Sequence, residues 1–462
     1  MREVAEQQKR SWLAKCSRTD VNGWIWVRIQ GAPFERGFQY GVLTAKEYAE
    51  AVRVYAAMTM ETTGKELAFF RDKAVELQKD KIYPELLEEM EGLATGYTDQ
   101  GVPTSLDDIV GWNAWQEMTG YWWPWAQQHP SQGVPQSSGG RDAKSHCSAF
   151  IATGSATLDG KIVIGHQSFT EFWNGQYFNL ILDITPDEGN RMVMQTSPGW
   201  NASMTDFWIT GAGLVAVETT IVGFQDYDPT KIPEYVRARK ASQYANTINE
   251  WIELINAGNN GGYANMWLIG DINTNEIANY EQGLLFQNLK RKTDGWFFGD
   301  NAPNDPRIRN LECTDVGYDD IRQQTGARRM RWPQLLRQFE GRIDAATSQR
   351  ILGDVYDVYL GRLCPSSRTI CSHYDEDPQP YVSDPNAVWN TPFFPAGSVE
   401  GKVTTAELAR NMSLWAIFGR ADGAPFDADE FLRIHSQFDY QRGYLVSRPS
   451  QPWTLFDDRK GN

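Results

Sequence analysis

A polar stretch rich in proline, glycine, glutamine and serine, PWAQQHPSQGVPQSSGGRDAKSH, runs from Pro124 to His146 with almost no aliphatic residue. It has too little apolar surface to build a core of its own, which predicts an exposed linker open to cleavage. The chain is thereby divided into residues 1–146 and 147–462. Immediately after the linker comes CSAFIATGSATLDGKIVIGH (Cys147 to His166), two short β-like runs around the turn Leu158-Asp159-Gly160-Lys161. Cys147 is therefore the first residue of a predicted hairpin, at the point where a cut in the linker would leave a new N-terminus.

The two pieces differ in their periodicity. WIWVRIQG (Trp24 to Gly31) alternates as a strand, and Pro33 to Met60 carries apolar residues at helical spacing, with a break expected near Gly37 and Gly41. Tyr83 to Tyr97 is a second helical run, so the first 120 residues are one strand followed mostly by helices. Beyond the linker, strands are expected over 178–184, 191–197, 213–224 and 264–272, and helices over 232–257 and 326–339. A length of 462 residues allows about three domains or one large layered domain.

Composition removes several function classes. Lys and Arg number 44 against 59 Asp and Glu, a net charge of −15, which opposes binding to nucleic acid. No apolar run approaches the roughly 18 residues that cross a bilayer. The charged first residues lack a secretory signal, so a cytoplasmic protein is expected if Met1 is the native start, and a secreted or lysosomal one if the chain is trimmed. Five cysteines and five histidines, scattered and without CxxC or HExxH spacing, predict neither a disulfide framework nor a metal site. No cofactor is called for. The 18 Trp, 19 Tyr and 21 Phe suit either a bulky acyl ligand or a large core.

Cys147 is the leading chemical candidate. A free cysteine is usually a small buried hydrophobe. As an N-terminal residue, however, it carries its own base, because an α-amine titrates at about 7.7 to 8.0 and can take the thiol proton.

The motifs HCSAF, GKIVIGHQSF, SPGWNASMTDFWITGAGLVAVETTI, GGYANMWLIGD, GDNAP and RTICSH, with PWTLFD near the end, together resemble the phospholipase B-like proteins, a branch of the N-terminal nucleophile hydrolases. GAPFERGFQYG and PELLEEMEGLATG are also similar to the acyl-coenzyme A:isopenicillin N acyltransferase family on the same fold. The resemblance implies an α+β fold, a four-layer αββα sandwich of antiparallel sheets, in a precursor that cuts itself between His146 and Cys147 into two chains that stay associated. It also implies roles for individual residues. His166 of the GH motif lines the nucleophile's pocket, Phe169 walls the acyl site, and Asn265 in YANMW is the oxyanion donor. Thr219 and Thr220 help hold substrate, Asn301 of GDNAP is a second amide, and Arg328, of the cluster Arg328, Arg329 and Arg331, lies near the nucleophile. Each has a plainer alternative: a satisfied core histidine, β-propensity for the threonines, a turn at Asn301, a solvated face for the arginines. The cluster Trp122, Trp123 and Trp125 either walls the pocket or packs. Cys364 and Cys371 bracket a region that carries a disulfide in lysosomal relatives, and His373 is expected to be structural.

The function expected is hydrolysis of a small acylated substrate, an amide or an ester, lipids included, through a Cys147 thioester. Two rivals stand beside it: an acyltransferase in which an amine captures the thioester, and an unprocessed binding protein on the same fold.

Overall fold

The computed structural model describes residues 4–129, 146–314, 316–377 and 391–457. The described residues form two compact units, one drawn from Met1–Arg141, Asn179–Ala212 and Asp226–Tyr263, the other from Asp142–Phe178, Gly213–Gln225 and Ala264–Asn462. Each unit takes chain from both sides of the linker.

In the first unit, apolar residues at helical spacing and prolines in the first turns set the main helices. The chain runs α1 (Glu6–Leu13), β1 (Ser17–Val21), β2 (Trp24–Gly31), α2 (Pro33–Thr63), α3 (Leu67–Gln78), α4 (Pro84–Asp99), α5 (Leu106–Glu117) and α6 (Trp123–Gln128). The start of the expected linker is thus helical, and residues 130–145 lie outside the described residues. Later segments add β5 (Leu180–Pro186), β6 (Met192–Thr196), β7 (Phe207–Thr210), α8 (Glu234–Tyr244) and α9 (Ile248–Asn256). Strand order is β1-β2-β5-β6-β7, antiparallel except for the parallel pair β2–β5, with α2 against β2. The single helix expected over 232–257 is two, because Thr247 caps a new one by accepting from the N–H of Glu250.

Helix α2 does not break at its glycines. A Cβ at Gly37 would stand 1.9 Å from the carbonyl oxygen of Glu89, and one at Gly92 would stand 2.2 Å from that of Phe34. Gly41 and Gly96 repeat the arrangement one turn on. The glycines let α2 and α4 touch backbone to backbone, a contact that close packing turns into stability. The irregularity lies instead at Thr44, with φ −130° and ψ 15°, whose hydroxyl donates to the Tyr40 carbonyl at 2.8 Å.

In the second unit, β-branched and aromatic alternation builds two sheets that face each other. One holds β8 (Leu214–Thr220), β9 (Asn265–Asp271), β10 (Glu276–Gln282) and β11 (Gln287–Lys292) as an antiparallel meander. The other is seven-stranded, with β3 (His146–Thr153), β4 (Val163–Glu171), β12 (Gly295–Gly299), β16 (Glu400–Thr405), β17 (Leu414–Phe418) and β18 (Thr454–Phe456) in the order β12-β3-β4-β16-β17-β18, and β15 (Ala396–Ser398) beside β4. A short pair, β13 (Tyr356–Asp357) and β14 (Arg362–Leu363), stands apart. Strand β3 packs on β8 and β9 across the sandwich. Helices α10 (Gln324–Gln338) and α11 (Ala345–Leu352) cover the outer face, where Trp332, Leu335, Leu336 and Ile351 meet Phe150, Ala152 and Val163. The protein is α+β, with helices on antiparallel sheets, as expected.

Candidate functional site

The pleat of β3 decides what Cys147 can meet. Its partner on β4 is Ser168, and Ala149 pairs with His166, so Cys147, Ala149, His166 and Ser168 share one face of the sheet. Phe150 and Ala152, one step out of phase, join the core under the helices. The Cys147 side therefore faces β8 and β9.

There the thiol donates to the carboxylate of Glu218 at 3.7 Å. The backbone N–H of Cys147 donates to Oδ1 of Asn301 at 3.1 Å, and Nδ2 of Asn301 donates to the Thr220 carbonyl at 2.7 Å. Arg328 comes from α10 and donates to the Cys147 carbonyl at 2.5 Å, to Asn301 Oδ1 at 2.8 Å and to the Ser148 hydroxyl at 3.3 Å. Both peptide groups flanking the Cys147 Cα are thus held by side chains. Asn301 does so from a left-handed backbone at φ 71°, which asparagine tolerates better than most residues. The turn expected at GDNAP and the amide role fall on the same residue.

His166 lies beside this group, with Nε2 2.9 Å from the Glu218 carbonyl oxygen. Burial, and then the charge of Lys402, hold its pKa well below the usual range, so the ring is neutral and Nε2 carries the proton donated to that carbonyl. Lys402 is the cross-strand partner of His166 on β16 and forms a fully buried pair with Glu400 at 2.6 Å. Glu400 also accepts the backbone N–H of Ser168 at 3.1 Å. Asp300, next to Asn301, is pushed up to about 7 by burial, against the opposing pull of Arg328.

Asn265 opens β9 opposite Thr220. It is fully buried, and neither amide atom has a hydrogen-bond partner among the described residues. Such a group costs about 1 to 3 kcal/mol unless a ligand or water satisfies it. The Thr219 hydroxyl is likewise buried and unpartnered, pressed against Gly299.

The structure gathers Cys147, His166, Thr220, Asn301 and Arg328 into one bonded cluster and places Asn265 and Thr219 on its neighbouring strands. Phe169 is different. It lies on the opposite face of β4 from His166, and the Arg328 guanidinium sits 5.1 Å above its ring. Phe169 therefore supports Arg328 and does not line the thiol's side of the sheet. The three arginines diverge: Arg328 is fully buried, whereas Arg329 pairs with Asp319 and Arg331 with Asp354. Trp122 and Trp123 pack against Phe69 and Phe70 in the first unit, and Trp125 stacks on His129. Cys364 and Cys371 are free thiols. His373 bridges Asp422 at 3.0 Å and Glu376 at 3.3 Å, a structural ion pair. The side chain of His146 lies outside the described residues.

Glu218, Lys402, Glu400 and Asp300 were not among the residues the sequence singled out. For three of them the signal was available: Glu218, Glu400 and Lys402 are charged residues inside strands whose neighbours are apolar or small, whereas Asp300 lies just past β12 beside Asn301. Ligand atoms of Cys147, His166 and Glu218 all lie within 4.8 Å of one another, a spacing compatible with a soft cation.

Residues 39–290, more than half of the chain, match the family model described as Phospholipase B. Relatives include an uncharacterized protein of Archaeoglobus fulgidus, 25% identical over 295 residues (58% of this chain, 44% of the relative). Another is the phospholipase B of Crotalus adamanteus, 26% identical over 305 residues (59% and 51%). The putative phospholipase B-like 2 of Homo sapiens is 35% identical over 89 residues (18% and 15%). The chain thus spans about half, or less, of the length of the curated relatives it matches. A solved structure of a mutant conjugated bile acid hydrolase from Clostridium perfringens aligns over 68% of this chain and 93% of its own, at 11% identity and a TM-score of 0.36. By the extent of the family match, this chain belongs to the phospholipase B family.

Proposed function

We propose that the chain is a self-processing cysteine hydrolase of the N-terminal nucleophile type that cleaves the amide or ester bond of a small acylated substrate. The observation that carries this reading is the setting of Cys147: both adjoining peptide groups are fixed by Asn301 and Arg328, and the thiol faces a buried carboxylate. A purely structural cysteine has no use for this arrangement.

In the uncut chain the Cys147 nitrogen is an amide and cannot act as a base. Glu218 takes the thiol proton, and the thiolate sulfur attacks the His146 carbonyl carbon. The C–N bond breaks, the Cys147 nitrogen gains a proton, and the acyl group rests on sulfur as a thioester. Water then cleaves the C–S bond, leaving a carboxylate on His146 and a free α-amine on Cys147. That amine becomes the base of the mature enzyme. In turnover it accepts the thiol proton as sulfur attacks the substrate's acyl carbon, and it returns the proton to the leaving nitrogen or oxygen. Water releases the acid.

The unpartnered amide of Asn265 supplies an N–H to the developing oxyanion, a contribution of about 10² to 10³ in rate. Neutral His166 orients the Glu218 backbone. Thr219 and Thr220 hold substrate from β8. The two chains stay associated, because β2 of the 1–146 piece pairs with β5 of the 147–462 piece from Ile25–Leu180 to Gly31–Pro186. The names of the relatives put acyl esters of phospholipids first among substrates to try. No described helix is long and apolar enough to cross a membrane.

Intact mass of the purified protein beside a Cys147→Ala variant tests the reading. Two fragments meeting at Cys147 in the wild type, with one chain in the variant, support it. A single chain of 52.4 kDa in both, at neutral and mildly acidic pH, would overturn it.

A further inference from the structure

In the first unit two buried acids, Glu117 on α5 and Glu234 on α8, line a cavity of about 20 Å³, and the charge of a third, Asp206 before β7, reaches Glu234. The space suits one group the size of a water molecule. Its walls include Trp200, Met204, Tyr235 and Tyr263 beside Glu117 and Glu234.

The three acids are not alike. Glu117 is saturated, accepting from Gln78 and Tyr227 at 2.9 Å, from Asn260 at 2.6 Å and from the Glu234 backbone N–H at 2.9 Å. Asp206 accepts the Tyr263 hydroxyl at 2.8 Å, and both residues hold left-handed backbones, φ 53° and 54°. For an aromatic residue that conformation costs free energy and persists only where the surroundings enforce it. Glu234 is different. It is 7% exposed, and among the described residues its buried Oε1 has no hydrogen-bond partner, nor has the hydroxyl of Tyr235, 5% exposed.

The local charge is also unbalanced. Arg237, the nearby cation, spends its N–H groups on the carbonyls of Ile232 and Ile255 and on the Asn260 side chain. Burial, and then the charge of Asp206, raise the Glu234 pKa well above the usual range, against the opposing charge of Arg237.

We infer that this cavity is a binding site for the primary ammonium group of a small amine, held by Glu234 and the Tyr235 hydroxyl with Trp200 and Tyr263 as aromatic walls. An ammonium matches the water-sized space, offers donors to acceptors that have none among the described residues, and brings a positive charge into a cavity walled by two carboxyl groups. Aromatic faces stabilise it further. A trimethylated ammonium is too large and has no donor.

The test is calorimetric titration and thermal-shift measurement of the full chain with methylammonium chloride, beside tetramethylammonium chloride and sodium chloride at equal ionic strength. Methylammonium alone is expected to bind and raise Tm. Glu234→Gln is expected to weaken binding at least tenfold, and Tyr235→Phe several-fold with the Tm of the free protein unchanged. If Glu234→Gln fails to fold, Tyr235→Phe decides, because its hydroxyl holds nothing in the free protein. Equal responses to methylammonium and sodium, or unchanged affinity in Tyr235→Phe, would show that the cavity holds water only and overturn the inference.

Discussion

The carboxamide oxygen of Asn301 accepts the backbone N–H of Cys147 at 3.1 Å. The same oxygen takes Arg328 at 2.8 Å, so one residue sets both the nitrogen that the proposed cleavage frees and the guanidinium over the next carbonyl. Because Asn301 is left-handed, Asn301→Gly keeps the backbone and removes only the amide. It is expected to slow chain cleavage by about 10- to 100-fold, the equivalent of roughly 1 to 3 kcal/mol for a lost buried partner. A time course of fragment appearance after synthesis measures this.

Asp300 gives the second unit a pH dependence near neutrality. Its carboxyl is raised to about 7 from 3.8, so deprotonation on rising pH is harder in the folded chain than in the unfolded one. Stability from this group is complete below pH 3.8 and is lost as pH climbs to about 7, a change of roughly 4 kcal/mol. Urea unfolding between pH 4.5 and 8 is expected to show that slope in the wild type and a flatter curve in Asp300→Asn.

The first unit responds in the opposite direction. Burial alone would raise the Glu89 carboxyl, but Arg239 at 2.7 Å and Arg36, with Asn201 at 2.8 Å, bring it down to about 2 from 4.5. The contribution is present above pH 4.5 and disappears as pH falls toward 2, about 3 kcal/mol in all. Glu89→Gln leaves buried Arg239 without its anion and Arg36 with Glu85 alone, and is expected to cost about 3 to 5 kcal/mol at pH 7. Acid titration of the first unit's tryptophan fluorescence checks both statements.

The Lys402–Glu400 pair predicts a compensating double substitution. Lys402→Met strands a buried carboxylate and is expected to cost about 3 to 5 kcal/mol, whereas Lys402→Met with Glu400→Gln recovers most of it. The single variant also removes a charge that depresses His166, so the imidazole pKa is expected to rise in an NMR titration.

Close helix packing makes the last prediction. Gly37→Ala drives a methyl group into the carbonyl of Glu89, a contact the backbone can relieve only by moving α2 away from α4. A loss of about 1 to 3 kcal/mol, or more, is expected in chemical unfolding. Gly64→Ala, whose Cβ would meet nothing, tests the backbone term alone at φ 68°.

Much of this was legible beforehand because it is local. Helix α4, the hairpin that carries Cys147 and the strands at 214–220 and 265–271 follow from period and composition. Strand β1 was not visible, since four of the five residues of Ser17–Val21 are polar, and the expected break in α2 was misplaced because a glycine reads the same whether it ends a helix or admits a neighbour.

That Cys147 opens a strand-rich block after a polar run, and which motifs surround it, is read from the order of residues alone. Tertiary structure alone decided what the thiol faces. Glu218 is one charged residue in an apolar strand until the two sheets stack, and Arg328 is one of three neighbouring arginines until α10 is laid over β3. Cys147 and Arg328 stand 181 positions apart, and which charge is buried beside which nucleophile depends on the packing of sheets and helices, which no local pattern encodes.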